Sequence, residues 1–351
     1  MFSFCIKLTM IIVLFTSINL FIEDNSLSIE SNLTNIKHDI FKKNKDMYSV
    51  IFLGTSIIHS GINPRQFSAE LNHHGLKNIK AFNFALPASV LMEQYYIFRK
   101  ITRMKPKKLK WVFVELIENR FDALQTRAQK KQTHKFVYWH DFKSTISLVN
   151  FQLSRNDNFL KRLKKIKTHL KSFATNYSKP GYGVKFLKVN KTNKNHDRLY
   201  KLFSKYMFKP NIPENYQNKK NQQGSLHHKY LQNIEKIHEF VKKLKLSKQK
   251  YQLSKEQIKL LYHFINHGYK HNIKIIFIMT PNNNSLNKRF IYDKVKHHNL
   301  HILEFKDPNQ FPNLYKPKYH FNKNHFNIEG ANIFSKKLAE QFILLLRNKT
   351  I

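Results

Sequence analysis

Cysteine is almost missing from this chain, which has one, Cys5, in 351 residues. A lone thiol excludes an internal disulfide and any zinc site built on cysteine. No apolar stretch precedes Cys5, so it does not fit a lipoprotein cleavage site either. Acidic residues are also few: 22 Asp plus Glu stand against 62 Lys plus Arg, a formal charge of +40. Such an excess fits nucleic acid, anionic lipid or an anionic envelope polymer as partner. The blander reading carries more weight. Lysine supplies most of the excess along the whole chain, Asn, Ile, Phe and Tyr are common, and glycine numbers only 8, the pattern that AT-rich coding produces. What the chain does hold is core material, with 41% hydrophobic and 14% aromatic residues, and this excludes global disorder.

Residues 8–22 are almost entirely apolar, with Lys7 before them and Glu23-Asp24 after. A span needs roughly 20 residues, a length reached when residues 1–6 are included, and no small-x-small cleavage site precedes Glu23. The expectation is an uncleaved signal anchor over 1–24, with Lys7 keeping the short end cytoplasmic and the rest extracytoplasmic. Export argues against a nucleic-acid partner and leaves anionic headgroups or acidic wall polymers for the basic chain.

Residues 25–47 are polar and read as a stalk. Strands buried on both faces are predicted at 48–53, 80–84, 111–116, 273–279 and 300–305, separated by helical stretches. Asn63-Pro64 with Gln66 opens one helix and Gly75 closes it. A second helix covers 89–103. Ser254 with Gln257 caps a third, whose buried stripe is Ile258, Leu261, Tyr262 and Ile265, and Asn327 caps the last. Alternating strands and helices imply an α/β, doubly wound parallel sheet. It would be built from 48–119 and 253–351. Residues 120–252, with charge runs such as Lys161-Arg162-Leu163-Lys164-Lys165, read as a basic, mostly helical insertion or cap.

Two turns carry the chemistry. Gly54-Thr55-Ser56 sets a hydroxyl at the carboxyl end of the first strand, where open α/β sheets place their sites. Asn322-Lys323-Asn324-His325 supplies an imidazole before the last helix, the base that serine needs to become a nucleophile. The His73-His74, His227-His228 and His297-His298 pairs read as exposed polar pairs, not metal ligands. Tyr138-Trp139-His140 reads more readily as a packed loop than as the lining of a cleft. Glu115, at the end of its strand, reads as a structural hydrogen-bonding group before a base. No cofactor motif stands out.

Over about 48–120 and 253–345 the layout resembles the SGNH (GDSL-type) hydrolase superfamily, and within it the membrane-anchored branch that acylates envelope polymers. That branch includes the D-alanyl-lipoteichoic acid transfer protein and the alginate O-acetylation proteins. The resemblance rests on Ile51-Phe52-Leu53-Gly54-Thr55-Ser56, on Gly61-Ile62-Asn63-Pro64, and on His325-Phe326-Asn327-Ile328-Glu329-Gly330-Ala331. It implies a flavodoxin-like fold, Ser56 as nucleophile and His325 as base. It also implies an oxyanion hole from the backbone N–H groups of Ser56 and Ala88 and the Asn119 amide. Ala88 stands where the family has glycine, and Ile117-Glu118-Asn119-Arg120 departs from the family's Gly-x-Asn-Asp. Asn322 stands where the family has aspartate, and losing an orienting carboxylate can cost on the order of 10⁴-fold in turnover. Three readings stay open: a Ser–His dyad; a substitute carboxylate from Asp307, Glu329 or Glu118; or loss of catalysis. The implied activity is an esterase or O-acyltransferase on an acylated envelope glycan or similar polymer, with a membrane-bound O-acyltransferase as partner. The alternatives are an inactive relative that binds polymer or protein and, ranked behind it, a basic binder of anionic polymer or lipid.

Overall fold

The computed structural model describes residues 33–116, 134–178, 255–281, 300–322 and 325–348, short pieces at 249–251 and 288–290, and isolated positions elsewhere. The chain divides into two compact units, one of 1–40 with 122–200 and one of 41–121 with 201–351.

The larger unit is built on a five-stranded parallel sheet. Its strands are β1 (Val50–Leu53), β2 (Ala81–Asn83), β3 (Trp111–Glu115), β4 (Lys274–Met279) and β5 (Ile302–Glu304). They lie in the order β2-β1-β3-β4-β5, one of the two common doubly wound orders. The chain leaves β1 for β2 on one side and returns to β3 on the other. The carboxyl end of β1 is therefore the point where the winding reverses.

A helix α1 (Leu33–Asn44) leads into the sheet region; α2 (Ser56–Gly61), α3 (Pro64–His73), α4 (Leu91–Arg103), α8 (Lys255–Tyr269) and α9 (Ile328–Arg347) belong with the strands. Side chains alternate across a strand, so β1 sends Val50 and Phe52 to one face. There they join Phe67 and Leu71 of α3 and Phe334, Leu338 and Phe342 of α9 in one cluster. Phe52 and Phe113 lie 5.0 Å apart between ring centres, and Phe113 meets Phe342 edge-on at 5.2 Å. On the other face Phe264 of α8 packs on Phe98 of α4 at 5.9 Å and on Phe277 of β4 at 6.2 Å. Fully buried rings of this kind are each worth roughly 3–5 kcal/mol when cut to alanine. Asn63 caps α3 by accepting from the N–H groups of Arg65 and Gln66, while its own N–H donates to Ser335 Oγ of α9 at 2.7 Å and not to Gln66. The half of a capping box expected from Gln66 is thus replaced by a tertiary bond.

Some expectations fall differently. The helix expected from 89 begins at Leu91, and Ser254 lies outside the described residues. A short antiparallel pair, β6 (His320–Asn322) and β7 (His325–Phe326), comes between β5 and α9. No helix among the described residues is long and apolar enough to cross a membrane. The 8–22 run lies almost wholly outside those residues.

The smaller unit contains α5 (His134–Val137), α6 (Phe142–Leu153) and α7 (Phe159–Ser178). Trp139 and His140 are buried at 1% and 0% exposure, so the loop they occupy is packed.

Candidate active site

Ser56 opens α2 directly after the β1 turn. Thr55 caps that helix, its hydroxyl accepting from Ile57 N–H at 3.2 Å. The turn is tight, and glycine is required at its start. A Cβ on Gly54 would lie 2.5 Å from Ile58 Cγ1 and 2.8 Å from Glu115 Oε2. Glu115, 2% exposed, accepts from Thr55 N–H at 2.6 Å and from the Thr280 hydroxyl at 3.1 Å. A carboxylate at the end of β3 thus ties the Ser56 turn to the ends of two neighbouring strands.

The hairpin of β6 and β7 presents the imidazole. Phe326, 2% exposed, enters the core beside Phe334 with ring centres 5.5 Å apart. Its neighbour His325 points the other way, as strand alternation demands. His325 Nε2 lies 2.9 Å from Ser56 Oγ, and His325 Nδ1 lies 3.0 Å from Asn322 Oδ1.

Asn322 settles the tautomer. The backbone N–H of His325 donates to the same Asn322 oxygen at 3.1 Å. A backbone N–H can only donate, so the atom facing it is the carbonyl oxygen of the amide and not its nitrogen. That oxygen can only accept, so Nδ1 carries the ring proton. Nε2 is then left bare, and it accepts from the Ser56 hydroxyl. This is the protonation a general base needs before attack. Burial holds the His325 pKa below its ordinary 6.5, which keeps the ring neutral at pH 7.

Among the described residues neither Asp307 nor Glu329 reaches His325. Asp307 accepts from Asn309 N–H at 2.8 Å in its own loop, and Glu329 is exposed on the first turn of α9. Glu118 and Asn119 lie outside the described residues. Asn322 therefore occupies the orienting position itself. An amide can hold a ring in one tautomer as a carboxylate does, and Cys-His-Asn proteases work this way. It cannot neutralise the imidazolium.

Ala88 is exposed in the loop after β2, with φ at 56°, in the left-handed region that favours glycine. No hydrogen bond from its N–H is found among the described residues. The loop is fixed from both sides. Leu86 N–H donates to Gly54 O at 2.9 Å. Asn83, fully buried at the end of β2, accepts from Ala85 N–H at 3.0 Å and donates to Ile58 O and Ile62 O at 2.8 and 3.0 Å. Sequence reasoning passed over the roles of Asn83 and Thr280. The signal was there in each case, a polar residue closing an apolar strand, since a buried amide or hydroxyl is retained only with partners. Ser56 N–H is the second available donor, because the first N–H groups of a helix lack intrahelical acceptors.

A groove lined by Tyr48, Arg65, Lys77 and Lys80 opens at the amino-terminal end of β1 and β2, away from this chemistry. No model of a known protein family matches the chain, and no curated protein sequence matches it.

Proposed function

We propose that this protein is an SGNH-like serine esterase or O-acyltransferase that acts on acyl groups of a cell-envelope glycan or similar surface polymer. One observation carries the reading: the continuous chain from Ser56 Oγ through the His325 ring to Asn322 Oδ1, with links of 2.9 and 3.0 Å. In the first step Ser56 Oγ attacks the acyl carbonyl and its proton passes to His325 Nε2. The carbonyl oxygen becomes an oxyanion facing the N–H groups of Ser56 and Ala88. Collapse breaks the bond to the leaving oxygen, which takes the proton from His325, and the acyl group remains on Ser56. In the second step His325 deprotonates water or a polymer hydroxyl, which attacks the acyl-serine and restores the free hydroxyl. Asn119 is the proposed third oxyanion donor. No metal or cofactor is needed for these steps.

The setting proposed for this chemistry is the outer side of the cytoplasmic membrane, with the 1–24 segment as anchor. Acyl groups would arrive through a membrane-bound O-acyltransferase partner, as the resemblance implies. Release of product from a short-chain acyl ester by the full chain, lost in Ser56→Ala, is the expected result. Equal rates for the two proteins would remove the catalytic claim. The neutral Asn322 favours one second reading, an inactive polymer-binding relative. Polymer binding retained in His325→Ala, with no turnover in either form, would establish it.

A further inference from the structure

Helix α7 leaves much of its apolar surface in water. A surface helix ordinarily buries an apolar stripe and shows its polar face. The residues that α7 buries fully are His169 and Ser172, with Ile166 and Phe173 half-buried beside them. Its exposed side chains include Phe159 at 61%, Leu160 at 73%, Leu163 at 43% and Leu170 at 49%. Spacings of four and seven residues place Phe159, Leu163 and Leu170 in one row along the helix. Lys164, Lys167 and Lys171, all exposed, follow the next row, and the helix contains no acidic residue.

The orientation is pinned from inside. His140 Nδ1 lies 2.9 Å from Phe136 O and His140 Nε2 lies 3.0 Å from His169 Nδ1. The carbonyl can only accept, so His140 carries its proton on Nδ1 and takes the His169 proton at Nε2. Both rings are fully buried. Turning α7 to hide its leucines would break this bond and strand two imidazoles.

We propose that the outward face of α7 is a membrane-contact surface, seated in the headgroup layer of an anionic bilayer with its apolar row against the acyl chains. An apolar row beside a row of lysines, on a helix too polar to cross, is the chemistry of an interfacial helix. Charge selects among the possible occupants. A second copy would set lysine against lysine. The rest of a chain with formal charge +40 is a poor cover for a basic face. Nucleic acid offers phosphate but nothing for the exposed leucines. An anionic lipid surface satisfies both rows.

The test uses the full chain with Cys5→Ser and Leu163→Cys, labelled with an environment-sensitive fluorophore. The probes are vesicles of equal parts phosphatidylglycerol and phosphatidylcholine, and of phosphatidylcholine alone, each with brominated acyl chains. The expected result is a blue-shifted label quenched by bromine in the mixed vesicles, with much less of both in the neutral ones. Lys164→Gln, Lys167→Gln and Lys171→Gln together should weaken the lipid-bound state roughly 100-fold, at ~5-fold per lysine. A label that stays water-like in the mixed vesicles overturns the proposal, and so does one that responds equally to both lipids. Leu170→Cys is a second labelling position should Leu163→Cys disturb folding, which circular dichroism reports.

Discussion

Replacing Asn322 by aspartate converts a neutral orienting group into a charged one and leaves the shape nearly unchanged. The amide oxygen sits 3.0 Å from His325 Nδ1, so a carboxylate there would stand about 4 Å, centre to centre, from the imidazolium formed during attack. At an effective dielectric of about 20 that pair is worth ~4 kcal/mol. His325 is only half-buried, and the new carboxylate must itself lose water, so about half of this should survive. A gain of ~2 kcal/mol is roughly 30-fold in rate and raises the ring pKa. The gain is far below the 10⁴-fold cost of removing a triad carboxylate where the wrong tautomer results, because Asn322 already holds the right one. The assay is kcat/KM for 4-nitrophenyl acetate against pH. The wild-type acid limb should lie below pH 6.5, since burial lowers the pKa of His325 and the base works only when neutral. Asn322→Asp should raise the plateau and move the limb upward. An unmoved limb and an unchanged plateau would refute the orienting role of Asn322.

Three further outcomes follow from the same geometry. Ala88→Gly should be neutral to about 1 kcal/mol stabilising in denaturant unfolding with turnover retained, because Ala88 holds a φ of 56°; a loss of the usual ~0.5–1 kcal/mol would contradict the left-handed turn. Gly54→Ala should destabilise by about 1–3 kcal/mol and reduce ester turnover, since its Cβ would meet Ile58 Cγ1 at 2.5 Å and displace the turn that carries Ser56. Burial pushes the His140 pKa down to about 3, with His169 adding to it. The unfolded chain therefore takes up a proton that the folded chain refuses. Stability of the smaller unit should be full above about pH 6.5 and fall by up to ~1.4 kcal/mol per pH unit as pH drops toward 3. Helicity followed by circular dichroism in an acid titration of wild type and His140→Gln reads this, and equal slopes in the two proteins would count against it.

The core strands were legible because each is a short apolar run closed by Gly, Asn, Glu or Thr, and alternation within them is what separates the α3–α9 face from the α4–α8 face. The Ser56 turn was legible for the same reason, as a glycine and a hydroxyl at the end of such a run. His325 was legible from its local motif. The role of Asn322 was not. Sequence alone cannot say which of Asn322, Asp307, Glu329 or Glu118 reaches the ring, because that depends on how a two-residue strand pairs. Asn322 opposes His325 in that pairing. Asn83 was hidden because its partners, Ile58 and Ile62, are backbone carbonyls that leave no mark in composition. Helix α7 was illegible in the opposite sense. Its charge run marks a basic helix but does not say which way its leucines face; their exposure and the buried His140–His169 bond show that they face outward.

The central claim is that Ser56 is an activated nucleophile. The most direct measurement is labelling of the full chain with a fluorophosphonate, followed by mass spectrometry of its peptides. A single phosphonyl adduct is expected on Ser56, absent from Ser56→Ala and slowed at least 100-fold in His325→Ala. An unlabelled Ser56 peptide, or one labelled equally fast without His325, would contradict it.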